Sequence, residues 1–365
     1  MRLLVPLVAA VLLLVAVAAA SSRVFPEGPE PLQVAKGWAL RRSERFDKSA
    51  EQREFIVAIK QQNLEQLEAL FWAVSDPSSP QYGQHVTIDQ LTELIAPTNE
   101  AVASVTSFLS EHGATELSLT MNRDFVRARA SLAALERMFN VTFSTYRHRD
   151  AFEVPVRATV EAYSVPAEIA QHIDLVSHIT GLPDVHLPRK AKFLAPGDLD
   201  ITPSVIWARY NITGWTAKSS SNSQAVAEFQ AQFYSQTDLT TFFQKFVPNS
   251  KADTVYKVVG PNNPARPGDE ASLDIQYLMG VAPNVSTWFY SQAQFNFYND
   301  LVNWLTILSN QTDAPWVHSV SYGSQGNYPS ASYQSRSDAE YQKVCRISLS
   351  LFVVCRTDSI RFDLI

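Results

Sequence analysis

The sequence predicts two domains in succession, a small α+β domain followed by an α/β domain with a parallel sheet. From about residue 54 to 158, strands and amphipathic helices alternate in short units, a pattern typical of an antiparallel sheet with helices on one face. From about residue 225 to 321, buried apolar runs alternate with helical segments, as expected for a parallel sheet. A proline-rich, basic stretch separates the two parts.

Apolar spacing and capping residues locate the elements of the first domain. Residues 55–60 are predicted as a strand, and Asn63 as the cap of the helix that follows. The apolar stripe of that helix is Leu64, Leu67, Leu70 and Phe71. Further elements are helices at 87–95, 99–109 and 131–139, a strand through Val126, and a strand that starts near Val141.

In the second domain, the predicted strands lie at 225–229, 254–259, 286–290 and 316–321, and the predicted helices at 235–246, 272–280 and 295–309. The stretch between residues 181 and 203 cannot join a central sheet because of its prolines. We therefore expect an exposed segment there, which is either an ordinary domain linker or a site of proteolytic processing.

The N-terminus predicts entry into the secretory pathway. Arg2 precedes an apolar run that ends in small residues near Ala20, which is the pattern of a cleavable signal peptide at residues 1–20. A membrane anchor is the alternative, because the run is almost long enough to span a bilayer; no later segment has that character. Glycans could attach at four sequons, at Asn140, Asn211, Asn284 and Asn310. We expect a lysosomal or secreted glycoprotein.

Composition excludes several classes of protein. With 46% hydrophobic and 18% charged residues the chain can bury a core, and its net charge of −6 argues against a nucleic-acid partner. Cys345 and Cys355 are too few for a disulfide framework or a four-cysteine zinc site. They could pair in an oxidising lumen, but if residues 347–354 form a strand, its length of about 26 Å holds them too far apart.

Glu270 and Asp274 are the candidate catalytic residues. They lie four positions apart at the start of a predicted helix, so they share one face with about 5–6 Å between their Cβ atoms. Two carboxylates held that close in a partly buried site do not both ionise cheaply, so one retains a proton that the pair can pass on. The alternative is purely structural, since acidic residues favour the positive end of a helix dipole.

Motifs in both parts of the chain resemble the sedolisin, or serine-carboxyl peptidase, family. The resemblance rests on Gly268-Asp-Glu-Ala-Ser-Leu-Asp-Ile-Gln-Tyr-Leu-Met, Asn284-Val-Ser-Thr-Trp and Val317-His-Ser-Val-Ser-Tyr-Gly. In addition, Ile201-Thr-Pro-Ser-Val-Ile-Trp-Ala-Arg-Tyr-Asn-Ile-Thr resembles the start of that family's mature enzyme. Asp76-Pro-Ser-Ser-Pro-Gln-Tyr-Gly-Gln-His resembles a turn of its pro-domain. The matches run in order from about residue 30 to Val344.

The resemblance implies a division of the chain into functional segments. Residues 21–190 would be a pro-domain with a ferredoxin-like antiparallel sheet and helices, and residues 191–200 a linker that contains the processing region. Residues 201–344 would be the N-terminal part of a subtilisin-like α/β peptidase domain with a parallel sheet. Residues 345–365 form a divergent tail.

The resemblance also implies a chemistry. Glu270 would be the general base toward a serine, with Asp274 as its partner, in an acid peptidase that removes tripeptides from the free N-termini of peptides or unfolded proteins. Residues 316–323 would bind substrate in extended pairing. His318 is expected to be structural, because the family needs no catalytic histidine.

Part of the family's apparatus does not occur in these 365 residues. The family places an oxyanion aspartate in Ser-Gly-Asp-Ser-Gly, its nucleophile in Gly-Thr-Ser-x-Ser, and calcium in a C-terminal loop. Asp358 only faintly resembles the first motif, and Ser324 fails the pattern of the second. We therefore expect no cofactor and no activity in this chain, and a tail that is an alternative or misread end.

Three hypotheses for the chain stay open. It is an inactive form of such an enzyme, or a binding module whose pro-domain inhibits a full-length relative, or a product that misfolds because part of its sheet is missing. Acid triggering is also expected, from the family and from histidines that would gain charge in a lysosome. These histidines are His85, His112, His148, His172, His178 and His186.

Overall fold

The computed structural model describes residues 22–149, 155–183, 201–212, 219, 221–250, 253–293, 296–322, 329–345 and, for the backbone, 350–353. The strands are β1 (Arg23–Val24), β2 (Trp38–Leu40), β3 (Gln52–Ile59), β4 (Thr115–Leu119), β5 (Phe125–Ser131), β6 (Ser144–His148), β7 (Val156–Ala158), β8 (Val165–Pro166), β9 (Ile173–Ser177), β10 (Ser223–Glu228), β11 (Lys257–Val259), β12 (Ser286–Ser291), β13 (Val317–Val320) and β14 (Ser350–Val353). The helices are α1 (Leu64–Ser75), α2 (Ile88–Ile95), α3 (Asn99–Glu111), α4 (Leu132–Phe139), α5 (Ala167–Ala170), α6 (Pro203–Arg209), α7 (Gln236–Phe246), α8 (Asp269–Val281), α9 (Phe297–Leu308) and α10 (Ala331–Val344).

The first domain is built on an antiparallel sheet of order β4-β5-β3-β9. Alternate residues of β3 point to opposite faces, so Phe55 and Val57 join the core formed with α3, α4 and α5. Ile56 and Ala58 point the other way and pack against Val302 of α9. The predicted antiparallel sheet is confirmed, with α3, α4 and α5 on one face and the second domain on the other. The predicted helices α1 and α2 pack instead with Ala339 of α10.

The second domain contains a parallel sheet of order β11-β12-β10-β13-β14. Both faces are covered, which explains the continuous apolar runs in its sequence. Val226 of β10 packs with α7 and α8, whereas Ala225 and Ala227 pack with Trp304 of α9. The predicted parallel sheet is confirmed, as are the strands at 225–229 and 286–290. Within the described ranges, no helix combines the length and apolar character that a membrane span requires.

Several local predictions for the first domain need correction. Asn63 stands at the N-cap of α1 but its side chain makes no capping hydrogen bond; Asn63 Nδ2 donates to Leu94 O at 2.7 Å instead. Leu64, expected in the apolar stripe, is exposed, whereas Leu67 is buried. β6 starts at Ser144, three residues later than expected, because the residues after α4 first close the turn onto the core.

The two domains meet along a contact that we call the seam, formed by β3, β5 and β9 of the first domain with α9 and α10 of the second. Its apolar part brings Ile56, Phe125 and Leu175 against Val302 and Tyr333. Its polar part is a buried ion cluster. The buried side of α10 contains charged as well as apolar residues: it includes Arg336, Glu340 and Lys343 beside Tyr333.

Asp124 is the centre of the ion cluster. It accepts from Lys343 Nζ at 2.8 Å, and Arg336 Nη2 lies 3.3 Å from its carboxylate. Arg336 also bridges to Asp174 at 2.8 Å and to Glu340 at 3.0 Å. Burial alone would raise the pKa of Asp124, but Lys343 and Arg336 outweigh it and hold that pKa well below its usual range. Asp124 therefore stays ionised in mild acid.

Replacement of Lys343 by methionine tests whether this cluster holds the folded protein together. Lys343→Met leaves a buried carboxylate without one of its cations, so we expect a loss of about 3–5 kcal/mol in the free energy of unfolding, measured by urea denaturation. The control is Lys257→Met, which removes a partly exposed pair with Asp313 and should cost less than about 1 kcal/mol. Equal losses in the two variants would contradict a stabilising role for the cluster.

Candidate active site

At the start of helix α8 the backbone passes very close to the side chain of Gln232. Gly268 is its N-cap, and a Cβ at this position would lie 1.7 Å from Gln232 Oε1, so only glycine fits without movement. The first turn follows directly and contains Glu270, and Asp274 lies one turn further. Both carboxyl groups are half-buried. The structure thus places the two predicted residues on the same helix end, as their spacing indicates.

A third carboxyl group completes the cluster. Glu228 is the last residue of β10 and is 0% exposed. It interacts electrostatically with Asp274 and Glu270, and its side chain is hydrogen-bonded to that of Asp274. Two carboxyl groups can share such a bond only if one of them carries a proton. We call Glu228, Glu270 and Asp274 the carboxyl trio.

Two residues that follow β13 contact the trio. Ser321 Oγ donates to Glu270 Oε1 at 2.6 Å. Tyr322 Oη donates to Glu228 Oε2 at 2.9 Å and lies 3.1 Å from Phe229 O. Because β10 and β13 are parallel neighbours, their carboxyl ends meet at one edge of the sheet, which is where ligand sites form in open α/β sheets.

The electrostatics of the trio identify the group that carries the proton. Burial raises the pKa of Glu228 well above its ordinary value, and the charges of Asp274 and Glu270 raise it further, against the lowering effect of the Tyr322 hydrogen bond. Burial and the adjacent Glu228 also raise the pKa of Tyr322, so this phenol stays a donor. The raised pKa of Glu228 therefore favours the protonated form of this carboxyl group.

Sequence reasoning missed Glu228 as a member of the site. Ser321 and Tyr322 lie in residues 316–323, which the resemblance implies bind substrate, but their contacts with the trio were not predicted. The available signal was the glutamate at the end of an otherwise apolar strand, Ala225-Val-Ala-Glu. His318 lies on β13 and is fully buried, with Nε2 3.2 Å from Pro315 O. Burial lowers its pKa to about 4, which fits the expected structural role.

Some predicted features lie outside the described residues. These are the signal peptide, residues 191–200, His186, Ser324, Asp358 and Cys355. Cys345 is described at the end of α10, but its pairing with Cys355 stays untested. In the described part of the chain, no group of three His, Cys, Asp or Glu side chains is placed to hold a metal ion.

The fold and the candidate site together define a class of protein. Its members have an α/β domain with a cluster of carboxyl groups at one edge of the sheet, and a separate α+β domain docked on it. The family "Pro-kumamolisin, activation domain" matches residues 39–182, which is the docked domain. Tripeptidyl-peptidase 1 of Rattus norvegicus is 34% identical over 336 residues, covering 89% of this chain and 59% of that protein.

The Mus musculus protein of the same name is 33% identical over 348 residues, covering 93% of this chain and 61% of that protein. The Homo sapiens protein of the same name is 34% identical over 336 residues, covering 88% of this chain and 59% of that protein. The chain thus spans about three fifths of the length of these curated relatives. It belongs to the sedolisin family of serine-carboxyl peptidases, and its first domain is the family's pro-domain.

The proton on Glu228 predicts how stability depends on pH. A carboxyl group whose pKa is raised on folding stabilises the protein fully below its unfolded pKa of about 4.3, and that contribution is lost as pH rises through the folded value. Glu228→Gln keeps a donor and an acceptor at this position but cannot ionise. Above about pH 5, we therefore expect the urea midpoint of the wild type to fall relative to that of Glu228→Gln.

The control is Glu93→Gln, at an exposed position of α2. Its urea midpoint should follow the wild type at every pH. Parallel curves for the wild type and Glu228→Gln would show that Glu228 ionises as easily in the folded protein as in the unfolded one.

Proposed function

We propose that the chain is a precursor form of an acid serine-type peptidase of the tripeptidyl-peptidase kind, with Glu270 as general base and Asp274 as its partner. The observation that carries the proposal is the hydroxyl of Ser321, which donates to Glu270 Oε1 at 2.6 Å. This is the contact that a carboxylate base makes with an alcohol before it removes the proton. Peptides and unfolded proteins are the proposed substrates.

The trio suits a base that works in acid. When Glu270 takes a proton from an alcohol, it loses its negative charge, which relieves repulsion with the neighbouring carboxyl groups. Asp274 is in turn hydrogen-bonded to Glu228, whose raised pKa favours the protonated carboxyl group. The three groups then titrate as one unit, so that a proton can be accepted and returned without a histidine.

We propose that the 365-residue chain alone is inactive, because neither Gly-Thr-Ser-x-Ser nor Ser-Gly-Asp-Ser-Gly occurs in its sequence. The pro-domain is proposed to be ferredoxin-like, supported by the order β4-β5-β3-β9 of its main sheet and by the helices that connect β3 to β4 and β5 to β9. The second domain is proposed to be the first part of a subtilisin-like domain. A lysosomal or secreted location is supported by the exposed positions of Asn140, Asn211, Asn284 and Asn310.

A tripeptide-capped fluorogenic reporter tests the proposal in two steps. The purified 365-residue chain should not cleave it in acid. A chimera of residues 22–344 with the remaining C-terminal part of rat tripeptidyl-peptidase 1 should cleave it, because it regains a nucleophile. In the chimera, Glu270→Gln should lower kcat roughly 100- to 10,000-fold, whereas the matched control Glu93→Gln should leave kcat unchanged.

Two results would contradict the proposal. Turnover by the 365-residue chain that Glu270→Ala abolishes would refute its inactivity. A folded, processed chimera with full activity as Glu270→Gln would refute the role of Glu270 as the base. Folding of each protein is checked by its thermal transition, so that a loss of activity is not confused with a loss of structure.

A second candidate function is inhibition in trans, in which the pro-domain of this chain docks on a full-length relative. The ion cluster favours this function, because a buried charge is tolerated only when the docking partner supplies a group of opposite charge. A fragment of residues 22–183, with its fold checked by circular dichroism, should slow active rat tripeptidyl-peptidase 1. The Asp124→Asn fragment should inhibit at least about tenfold more weakly. Equal rates with and without the wild-type fragment would eliminate this function.

A further inference from the structure

A cavity of about 340 Å³ lies between the two domains. The pro-domain lines it with the end of β4 and with Arg127 of β5. The second domain lines it with Gln292, just after β12, and with the C-terminal half of α9. The volume falls within the range of small-ligand pockets, roughly 300–1,000 Å³. We call this space the interdomain cavity, and a ligand held in it touches both domains.

The polar groups of the interdomain cavity suit a neutral ligand. Arg127 is the one charged residue among the described residues that line it, and its guanidinium already pairs with Glu54 and donates to Asn303 Oδ1 at 2.6 Å. Gln292 is 3% exposed. Its Oε1 accepts from Asn303 Nδ2, whereas its Nε2 has no hydrogen-bond partner within the described ranges. Because a buried N–H without an acceptor is destabilising, the cavity favours a ligand with an uncharged oxygen acceptor.

Apolar side chains form another part of the wall. Ile56 and Leu119 contribute from the pro-domain, and Ile307 contributes from α9. A pyranose sugar matches a lining of this mixed kind. Its hydroxyl oxygens accept and donate hydrogen bonds, while the C–H groups on the faces of its ring pack on apolar side chains. The chemistry of the lining therefore fits an uncharged sugar.

Asn310 brings a site of sugar attachment to the cavity wall. This asparagine follows α9, is exposed, and begins the sequon Asn310-Gln-Thr. Its Oδ1 accepts a hydrogen bond from Met121 N of the pro-domain at 2.8 Å. An N-linked glycan attaches to Nδ2 and leaves Oδ1 able to accept, so this bond is compatible with glycosylation. The first sugar of such a glycan starts where the two domains meet.

We propose that an N-linked glycan on Asn310 places its first sugar in the interdomain cavity and thereby joins the pro-domain to the second domain. The oxygens of the sugar supply the acceptor that Gln292 Nε2 lacks, and the ring packs on Leu119 and Ile307. This role rests on the lysosomal or secreted location proposed above, because glycans are attached in the secretory pathway. It does not depend on whether the chain is a peptidase.

Attachment is a group transfer without a redox step. The donor is an oligosaccharide linked through a pyrophosphate to a membrane lipid. Asn310 Nδ2 forms a bond to C1 of the first sugar, the bond from C1 to the pyrophosphate oxygen breaks, and one proton leaves the amide nitrogen. Thr312 completes the sequon that this transfer requires.

Asn140 provides an internal control. Of the four sequon asparagines, Asn310 is the one that lines the interdomain cavity. Asn140 lies at the C-cap of α4, a helix that packs on the face of the pro-domain sheet opposite the seam. A glycan on Asn140 therefore starts on the far side of that sheet from the second domain.

The first test uses the wild-type full chain, expressed in a eukaryotic secretory host. Peptide mass spectrometry should find a glycan on Asn310. A peptide N-glycosidase cuts between the asparagine and the first sugar. It should release the Asn140 glycan from the native protein roughly tenfold faster than the Asn310 glycan, because the latter becomes accessible only when the domains open. After denaturation the two rates should be equal.

Two results of this test would overturn the proposal. One is equal release of the two glycans from the native protein, and the other is a glycan on Asn140 with an unmodified Asn310. If all four sequons lack glycans, the secretory location fails together with the proposal, so the two failures are distinguishable.

A second test separates the glycan from the asparagine that bears it. Thr312→Ala removes the glycan but keeps Asn310 and its bond to Met121, whereas Thr312→Ser keeps the sequon. In native-state hydrogen exchange of the full chain, the protection factor of the Met121 amide should be roughly tenfold lower in Thr312→Ala than in the wild type. It should be unchanged in Thr312→Ser and in Thr142→Ala, which removes the Asn140 glycan. Equal protection in the wild type and Thr312→Ala would show that water alone fills the cavity, which refutes the proposal.

Discussion

Arg336 and Lys343 of α10 bring positive charge into a part of the protein that water does not reach. A buried cation is tolerated only with a partner, and Asp124 of the pro-domain is the partner of both. This requirement fixes how the pro-domain sits on the second domain. Phe125 follows Asp124 and lies under Arg336, so the sheet face of the pro-domain meets α9 and α10 in a single register.

Apolar periodicity predicted the fold wherever burial is apolar. The strands β10 and β12 have both faces covered, so they are continuous apolar runs in the sequence. β4 escaped prediction because nearly all its residues are exposed; it exists through its pairing with Arg127 and Arg129 of β5. α10 also escaped, because Arg336 and Lys343 lie on its buried side, where a periodicity argument expects apolar residues.

The sequence predicted only part of the candidate site. Glu270 and Asp274 are local neighbours on one helix, so their spacing alone places them together. Glu228 is distant in sequence and reaches them only because α8 packs against β10, through Val226, Ala271 and Ile275. The ionisation state of Glu228 is even harder to predict from the sequence, because it depends on burial and on the charges of two residues from another element. No local pattern in a sequence contains that information.

The candidate site and the ion cluster contain buried carboxyl groups that respond to acid differently. Burial and the neighbouring carboxyl groups raise the pKa of Glu228, so the folded state gains stability as pH falls through that value. Asp124 is just as deeply buried, but Lys343 and Arg336 hold the pKa of its carboxyl well below the usual range. Two buried carboxyl groups of one chain therefore favour opposite charge states, because one has carboxyl groups as neighbours and the other has cations.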